Sequence, residues 1–297
     1  MTASTQNAPA KTRADNALLS ATRAELRRLV RWPATWVLGG VWLTLQMLFA
    51  FAFPYIAYAT GDPDAFQGGP MDQILDSMLP QSLPETLIAG TPMFGGAIVL
   101  IFAALAVGSA YSWGTWKTVL TQGPGRAAAT GGLAAAVGVC VAGLVAVSTA
   151  VTYGLSLLVA AVESQEVVAP VWGDFAASVA GSGLILGMWA AAGLFLGAVT
   201  RGPALSVGLG LLWTFAVENL LRGAAALIDG LSYATDLLPG SGAGSLAGAL
   251  GAASDGADGT PGVLDVLTGP QAAVLLGVYI AVFLALTFAL IRRRDVA

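Results

Sequence analysis

The chain has 297 residues, of which 56% are hydrophobic and only 10% charged, and its mean hydropathy is +0.77. A soluble domain of this size carries about 25% charged residues, so this composition excludes an ordinary water-soluble protein and indicates an integral membrane protein. The net charge is −4, histidine is absent and Cys140 is the single cysteine. The sequence therefore lacks a disulfide framework and the commonest general base and metal ligand.

Residues 1–32 are predicted to form a polar start followed by an amphipathic helix on the cytoplasmic side. Asp15 and Asn16 can cap this helix, which runs to about Arg31. Its leucines share one arc, and its basic residues lie on, beside or at the boundary of the other: Arg23, Arg27, Arg28 and Arg31. Such a helix is expected to lie in the plane of an anionic inner leaflet. The alternative is the start of a signal peptide, but the apolar run that follows is longer than a signal peptide carries.

Six apolar runs are each near or beyond the ~20 residues that cross a bilayer. They predict an all-α membrane domain over residues 33–291, with spans at 33–59, 87–110, 127–162, 175–199, 204–221 and 270–291. A polar loop at residues 60–86 holds five acidic residues and no Lys or Arg. Span four contains Gly183 and Gly187, then Gly193 and Gly197, and this spacing permits close helix approach, more simply within one chain than between two.

The loop at residues 111–126 joins spans two and three. Trp113, Trp116 and Leu120 are spaced i, i+3, i+7 and would form an apolar ridge on a short helix. Pro124, between two glycines, would end that helix sharply. A short exposed helix with such a ridge suits docking into a groove of another protein. The alternative is an interfacial loop whose tryptophans lie at the level of the lipid headgroups.

The long segment at residues 223–269 separates spans five and six. Residues 224–238 are apolar enough to form a helix, yet too few to cross a bilayer. They predict a helix on the outer leaflet or a re-entrant hairpin. Residues 240–262 are rich in Gly, Ala, Ser and Asp and predict a mobile segment.

Charge sets the predicted orientation. Every basic residue except Arg222 falls on one side of the predicted spans, including those in the tail at residues 292–297. Thirteen acidic residues, from Asp62 to Asp265, fall on the other side. The positive-inside rule therefore places both termini in the cytoplasm, which agrees with an even number of spans. The outer acids could attract cationic cargo or could simply solvate the loops.

Glu218 and Arg222 are the only ionisable residues at membrane depth, and they are i, i+4 on span five. Glu218 lies ~22 Å along the helix from the inner turn, in the outer third of the membrane. One interpretation is an outer gate or a cargo contact. The alternative is a local ion pair whose arginine reaches outward to the interface.

No energy source is visible within the sequence. The midplane of each predicted span lacks charged residues, which argues against ion coupling. The phosphate-binding pattern GxxxxGK[ST] is absent, so any nucleotide chemistry would belong to a partner. Nothing predicts a bound metal, a cofactor or a nucleic acid partner.

The motif in the second loop resembles that of a known family. Gly114-Thr115, Leu120, Pro124 and Arg126 are similar to the pattern GT-x4-L-x3-P-x-R found in membrane subunits of ABC-2 type (type V fold) ABC transporters, typically bacterial. The basic amphipathic helix, the six spans, the helical excursion between spans five and six and the arginine-rich end resemble that family as well. Two departures are the lack of an acidic residue just before Gly114 and of a lysine after Arg126.

The resemblance implies an ATP-driven exporter in the plasma membrane that moves a hydrophobic or amphipathic substrate. Residues 113–120 would be the coupling helix, which seats on a separate ATPase subunit that binds ATP and Mg²⁺, and the basic amphipathic helix would add a second contact. A second permease subunit, identical or different, would complete the transporter. The motif and ridge residues that the resemblance assigns to coupling are Trp113, Gly114, Thr115, Trp116, Lys117, Leu120, Pro124 and Arg126.

Two other classes of function are weighed against this one. An ion-coupled secondary transporter or channel would use Glu218 and Arg222 and would need no partner. An integral-membrane enzyme acting on lipid is disfavoured, because the sequence shows no histidine and no paired carboxylates at the membrane midplane.

Overall fold

A computed structural model describes residues 10–62, 70–115, 118, 125–225, 227–228, 230–253 and 260–293. Six helices are long and apolar enough to cross a membrane: α2 (Pro33–Thr60), α5 (Thr91–Ser112), α6 (Arg126–Val162), α7 (Trp172–Thr200), α8 (Pro203–Ala225) and α11 (Gly269–Arg293). They confirm the six predicted spans. The other α-helices are the amphipathic α1 (Ala10–Arg31) and the short α3 (Met71–Met78), α4 (Leu83–Ala89), α9 (Ser232–Thr235) and α10 (Pro239–Ala249). The described residues form no strand.

Helices α5 and α7 form the centre of the bundle. Most of their apolar stretch is buried, whereas α2, α8 and α11 bury a quarter or less of theirs. Gly193 and Gly197 allow the two central helices to touch, because a Cβ atom on Gly193 would overlap the carbonyl oxygen of Leu100. A Cβ on Gly197 would lie 2.7 Å from the Cβ of Val107. The second glycine pair of span four therefore makes the close approach within one chain. The first pair does not, since nothing lies within 4 Å of a Cβ on Gly183.

Helix α1 packs along the beginning of α6. A Cβ on Gly132 of α6 would lie only 2.6 Å from the Cβ of Ala21, so the two backbones are in close contact. Leu29 is fully buried, while Leu18 and Leu19 remain exposed. The apolar arc of α1 is thus divided, with one part against the bundle and the other facing outward.

One end of the bundle gathers the basic residues. The guanidinium of Arg126, at the start of α6, donates to the carbonyl oxygen of Arg292 at the end of α11, with 3.2 Å between the atoms. The end of α5 meets the start of α8 where Gly108 lies against Pro203. The described arginines other than Arg222 lie at this end, called here the basic end. The other end, called the acidic end, is tied by a 2.8 Å hydrogen bond from the Tyr55 hydroxyl to Glu163.

Two stretches differ from their sequence predictions. Residues 60–86 are predicted as a loop, but their described part contains α3 and most of α4, and Ile74, Leu75 and Met78 of α3 pack against α2 and α6. The helical run that contains span five ends at Ala225, and among the described residues between it and Asp236 the one further helical segment is the single turn of α9. The predicted helix over residues 224–238 is therefore wrong in position.

The helix of this region is α10, within residues predicted to be mobile. Its small side chains provide no apolar pattern, which is why the sequence did not indicate a helix here. The same small side chains allow the backbone of α10 to pack closely against its neighbours. Gly244 contacts the carbonyl oxygen of Gly262, and a Cβ on Gly248 would lie 2.5 Å from the carbonyl oxygen of Leu264. Residues 241–247 are all buried. Residues 254–259 lie outside the described part of the chain.

Candidate functional site

The predicted coupling residues lie at the basic end, where the structure describes some of them. Trp113 follows the last turn of α5 and is 67% exposed. Its ring meets that of Trp32 edge to face, with 6.5 Å between centroids, which links this turn to the junction of α1 and α2. Gly114 has a positive φ of 66°, and Thr115 is partly buried. Trp116, Lys117, Leu120 and Pro124 fall outside the described residues.

The arginines of α1 divide between solvent and protein. Arg23, Arg27 and Arg31 are exposed, as a charged contact surface requires. Arg28 instead joins α1 to the bundle: its Nε atom lies 2.7 Å from Glu25 Oε2, and its Nη2 atom donates to the carbonyl oxygen of Ala106, 3.3 Å away. Helix α1 is thus attached near the end of α5 as well as along α6.

Glu218 lies deeper, towards the acidic end, and only 1% of its surface is exposed. It follows a π-helical turn over Leu212–Val217 in α8. A π-turn widens the helix so that residues five apart come close to alignment. Trp213 is five residues before Glu218, and its Nε1–H donates to Glu218 Oε1 at 2.7 Å.

The carboxylate of Glu218 also receives a backbone donor from a distant segment. The N–H of Gly240, in the first turn of α10, donates to Glu218 Oε1 at 3.2 Å. A carboxylate at this position is favourable because the first turn of a helix carries unpaired N–H groups and partial positive charge. Gly240 can approach because it has no side chain; a Cβ there would overlap the carboxylate.

Arg222 completes this cluster of Trp213, Glu218, Arg222 and Gly240. Its Nη1 atom lies 3.8 Å from Glu218 Oε2 and donates to the Ser241 hydroxyl at 3.3 Å, while Nη2 donates to Asn219 at 2.9 Å. The i, i+4 pair expected from the sequence is present, but it is looser than the contacts from Trp213 and Gly240. Both partners of Glu218 that the sequence did not indicate bind it more closely than Arg222 does.

The arrangement anchors the start of α10 to α8. Among the described residues, no group of three or more Cys, Asp or Glu side chains could hold a metal ion. The Tyr279 hydroxyl of α11 donates to the carbonyl oxygen of Leu237 at 2.8 Å, so the start of α10 is attached on a second side. The cluster holds α10 against α8, and the Tyr279 hydrogen bond holds the residues just before α10 against α11.

Comparison with protein-family models and with curated proteins gave no match. The function must therefore be inferred from the residues and their geometry.

Proposed function

We propose that this chain is the membrane permease subunit of an ATP-driven exporter of ABC-2 type, with ATP hydrolysed by a separate subunit. The observation that supports it best is the composition of the basic end. There, the exposed Trp113, the exposed arginines of α1 and the start of α6 form a neighbouring set of surfaces. An exposed aromatic next to a basic helix is suited to docking a partner protein.

The same proposal orients the molecule. The basic end faces the cytoplasm of a bacterial cell and the acidic end faces outward, with both termini inside. Helix α1 then lies at the inner surface, where its outward-facing Leu18 and Leu19 meet the lipid and its arginines meet anionic headgroups or the partner. The chain would act with two ATPase subunits and a second permease.

The contacts of α1 with α5 and α6 support coupling between the docking surface and the bundle. Helix α1 contacts α6 at Gly132 and reaches α5 through Arg28, so a displacement of α1 by the ATPase would act on both helices. Nucleotide binding can drive transport only if the ATPase binds two states of the bundle unequally. Close packing of α5 against α7 then carries the movement to the centre of the bundle.

The excursion between spans five and six is assigned to α10 in this proposal. Tyr279 is ten residues into α11, so the start of α10 lies ~15 Å along that helix from its outer end. The other end of α10 is level with the beginning of α11, where a Cβ on Gly269 would lie 3.2 Å from the Cβ of Ala249. Helix α10 is therefore proposed as the re-entrant element of the outer leaflet, held by Glu218.

The docking role is tested with an ABC ATPase that co-purifies with this chain from its native membrane, and the absence of any such ATPase would contradict the proposal. The two proteins are co-expressed, and co-purification and transport-coupled ATP hydrolysis are measured for Leu120→Asp. We expect a loss of association of at least tenfold, because a charge would be buried in the docking groove. Leu227→Asp is the matched control, since Leu227 is 88% exposed at the acidic end. Equal association of both variants would contradict the docking role.

The alternative, an ion-coupled carrier using Glu218, gains some support from the burial of this carboxylate. It is disfavoured because Trp213, Gly240 and Arg222 already occupy the carboxylate. Flux in proteoliposomes that contain this chain alone, abolished by Glu218→Gln, would favour the carrier over the exporter.

A further inference from the structure

A cavity of about 470 Å³ lies near the acidic end, between α2, α3, α4, the beginning of α5 and the residues at 251–253 and 260–261. Its volume is within the range of small-molecule sites in proteins. Its residues are distinct from the cluster around Glu218 and from the basic end. No function described above uses it.

The apolar wall of this cavity is held in place. Trp42 donates from Nε1 to the Ser148 hydroxyl at 2.9 Å. Its ring occupies space left by two glycines: a Cβ on Gly90 or Gly95 would lie 3.3 or 3.0 Å from the ring. A wall fixed on both sides can bind an apolar body without reorganisation.

Two interrupted helices meet across the same wall. Phe49 belongs to a π-helical turn at Leu48–Ala52 in α2, and Phe94 belongs to another at Thr91–Gly95 in α5. The two rings stack, with 6.2 Å between centroids and 11° between planes. Single π-turns within α-helices are frequent at functional sites.

The polar part of the lining contains hydroxyl and amide groups. The hydroxyls of Ser77, Ser82 and Thr86 donate to backbone carbonyls at 2.7, 2.8 and 2.9 Å, so their protons are already used. Gln46 and Gln73 also line the cavity, and each amide carries both donors and an acceptor. These uncharged groups can bind a polar ligand, but they do not select for its charge.

The charge of the described lining favours a cationic ligand. Among the described lining residues Glu85 alone is charged; it is exposed, and it forms no ion pair with another described residue. A carboxylate accepts hydrogen bonds and attracts cations, while aromatic faces attract cations too. The cavity thus has aromatic side chains that can contact an apolar group and a carboxylate at its rim that can bind a cation.

We propose that this cavity binds amphipathic organic ammonium ions, with the apolar body against Trp42, Phe49 and Phe94 and the ammonium group beside the Glu85 carboxylate. A primary or secondary ammonium supplies the positive charge that the lining lacks, and its N–H groups can donate to the Glu85 carboxylate. The binding is a property of this chain alone and does not depend on an ATPase.

The test uses the full chain in nanodiscs of phosphatidylcholine, with dansylcadaverine as the probe. This primary amine carries an aromatic body, and its N-acetyl derivative keeps the body but loses the charge. Binding is measured by the rise in dansyl fluorescence, with empty nanodiscs as the background. We expect saturable binding of one amine per chain, and affinity at least tenfold lower for the acetylated compound.

Variants connect the binding to the cavity. Glu85→Gln is expected to weaken binding of the amine about tenfold and to leave the acetylated compound unaffected. Glu166→Gln is the matched control, because Glu166 is exposed at the same end and does not line the cavity. Equal affinity for both compounds, no saturable binding, or unchanged binding in Glu85→Gln would overturn the proposal.

Discussion

A buried carboxylate in an apolar bundle requires compensation, and Glu218 receives it from three directions. Trp213 and Gly240 donate to one oxygen, and Arg222 lies near the other. Removing a partner from a buried charge costs more than the charge pair itself contributes, because the remaining group stays unpaired. The partners of Glu218 are therefore expected to matter more for stability than the surface arginines do.

Gly240→Ala tests this directly. The new methyl group would overlap the Glu218 carboxylate and push α10 away from α8. We expect a loss of about 1–3 kcal/mol, seen as a lower midpoint of thermal unfolding in detergent. Gly183→Ala should have little effect, since a Cβ there meets nothing within 4 Å. A midpoint for Gly240→Ala equal to that of Gly183→Ala would mean that the contact is unimportant.

Trp213→Phe removes the shortest hydrogen bond to Glu218 and keeps most of the ring. Because Glu218 is buried, we expect a loss of about 1–3 kcal/mol, measured in the same thermal assay. In a Glu218→Leu background, Trp213→Phe should cost much less. Additive losses in the double variant would show that the two residues act independently.

The sequence could predict the Glu218–Arg222 pair and could not predict the other two partners. The pair follows from α-helical spacing, since residues four apart are neighbours. Trp213 is five residues away, on a different face of a regular helix, and only the π-turn brings it into line. Gly240 is brought to Glu218 by the tertiary packing of α10, for which no local pattern exists.

At the scale of elements, long apolar runs were sufficient to predict the six long helices. Helix α10 was missed because Gly, Ala and Ser carry almost no hydropathy signal, although they are the residues that permit its close packing. Helices α3 and α4 were missed because they are short and lie within a stretch that is polar on average. A small residue indicates a close helix contact only where the backbone of another helix faces it, as at Gly193 but not at Gly183.

The seam between α5 and α7 gives a prediction with a control on the same helix. Gly193→Val would force side-chain atoms into the Leu100 carbonyl and separate the two central helices. We expect at least 3 kcal/mol of destabilisation or loss of folded protein on gel filtration, roughly the upper end for overpacking. Gly183→Val, ten residues earlier, should elute and unfold like the unmodified chain. Comparable behaviour of the two variants would contradict the packing described here.

At the scale of the whole molecule, charge separates along the bundle axis. The described arginines other than Arg222 lie at one end, and Glu163, Glu166 and Asp174 lie at the other. The sequence predicted this separation because it depends only on which loops carry Lys and Arg. The proposed orientation, with the basic end in the cytoplasm, rests on the positive-inside rule.

Site-directed labelling tests that orientation. In a Cys140→Ser background, Glu166→Cys should react with a membrane-impermeant maleimide in intact cells, because residue 166 is exposed at the acidic end. Arg201→Cys, exposed at the basic end, should react only after the membrane is opened. The reverse pattern would invert the proposed topology and place the docking surface outside the cell.

Helix α6 is longer than the membrane that it crosses. Its 37 residues extend ~55 Å, compared with ~30 Å of hydrocarbon. Helix α1 covers its first turns, and α3 packs near its last turns. Unlike α2, α5 and α8, it contains no π-turn along its described length. A tilt of its first turns would therefore be transmitted to its last turns, because no π-turn lies between them to absorb the change.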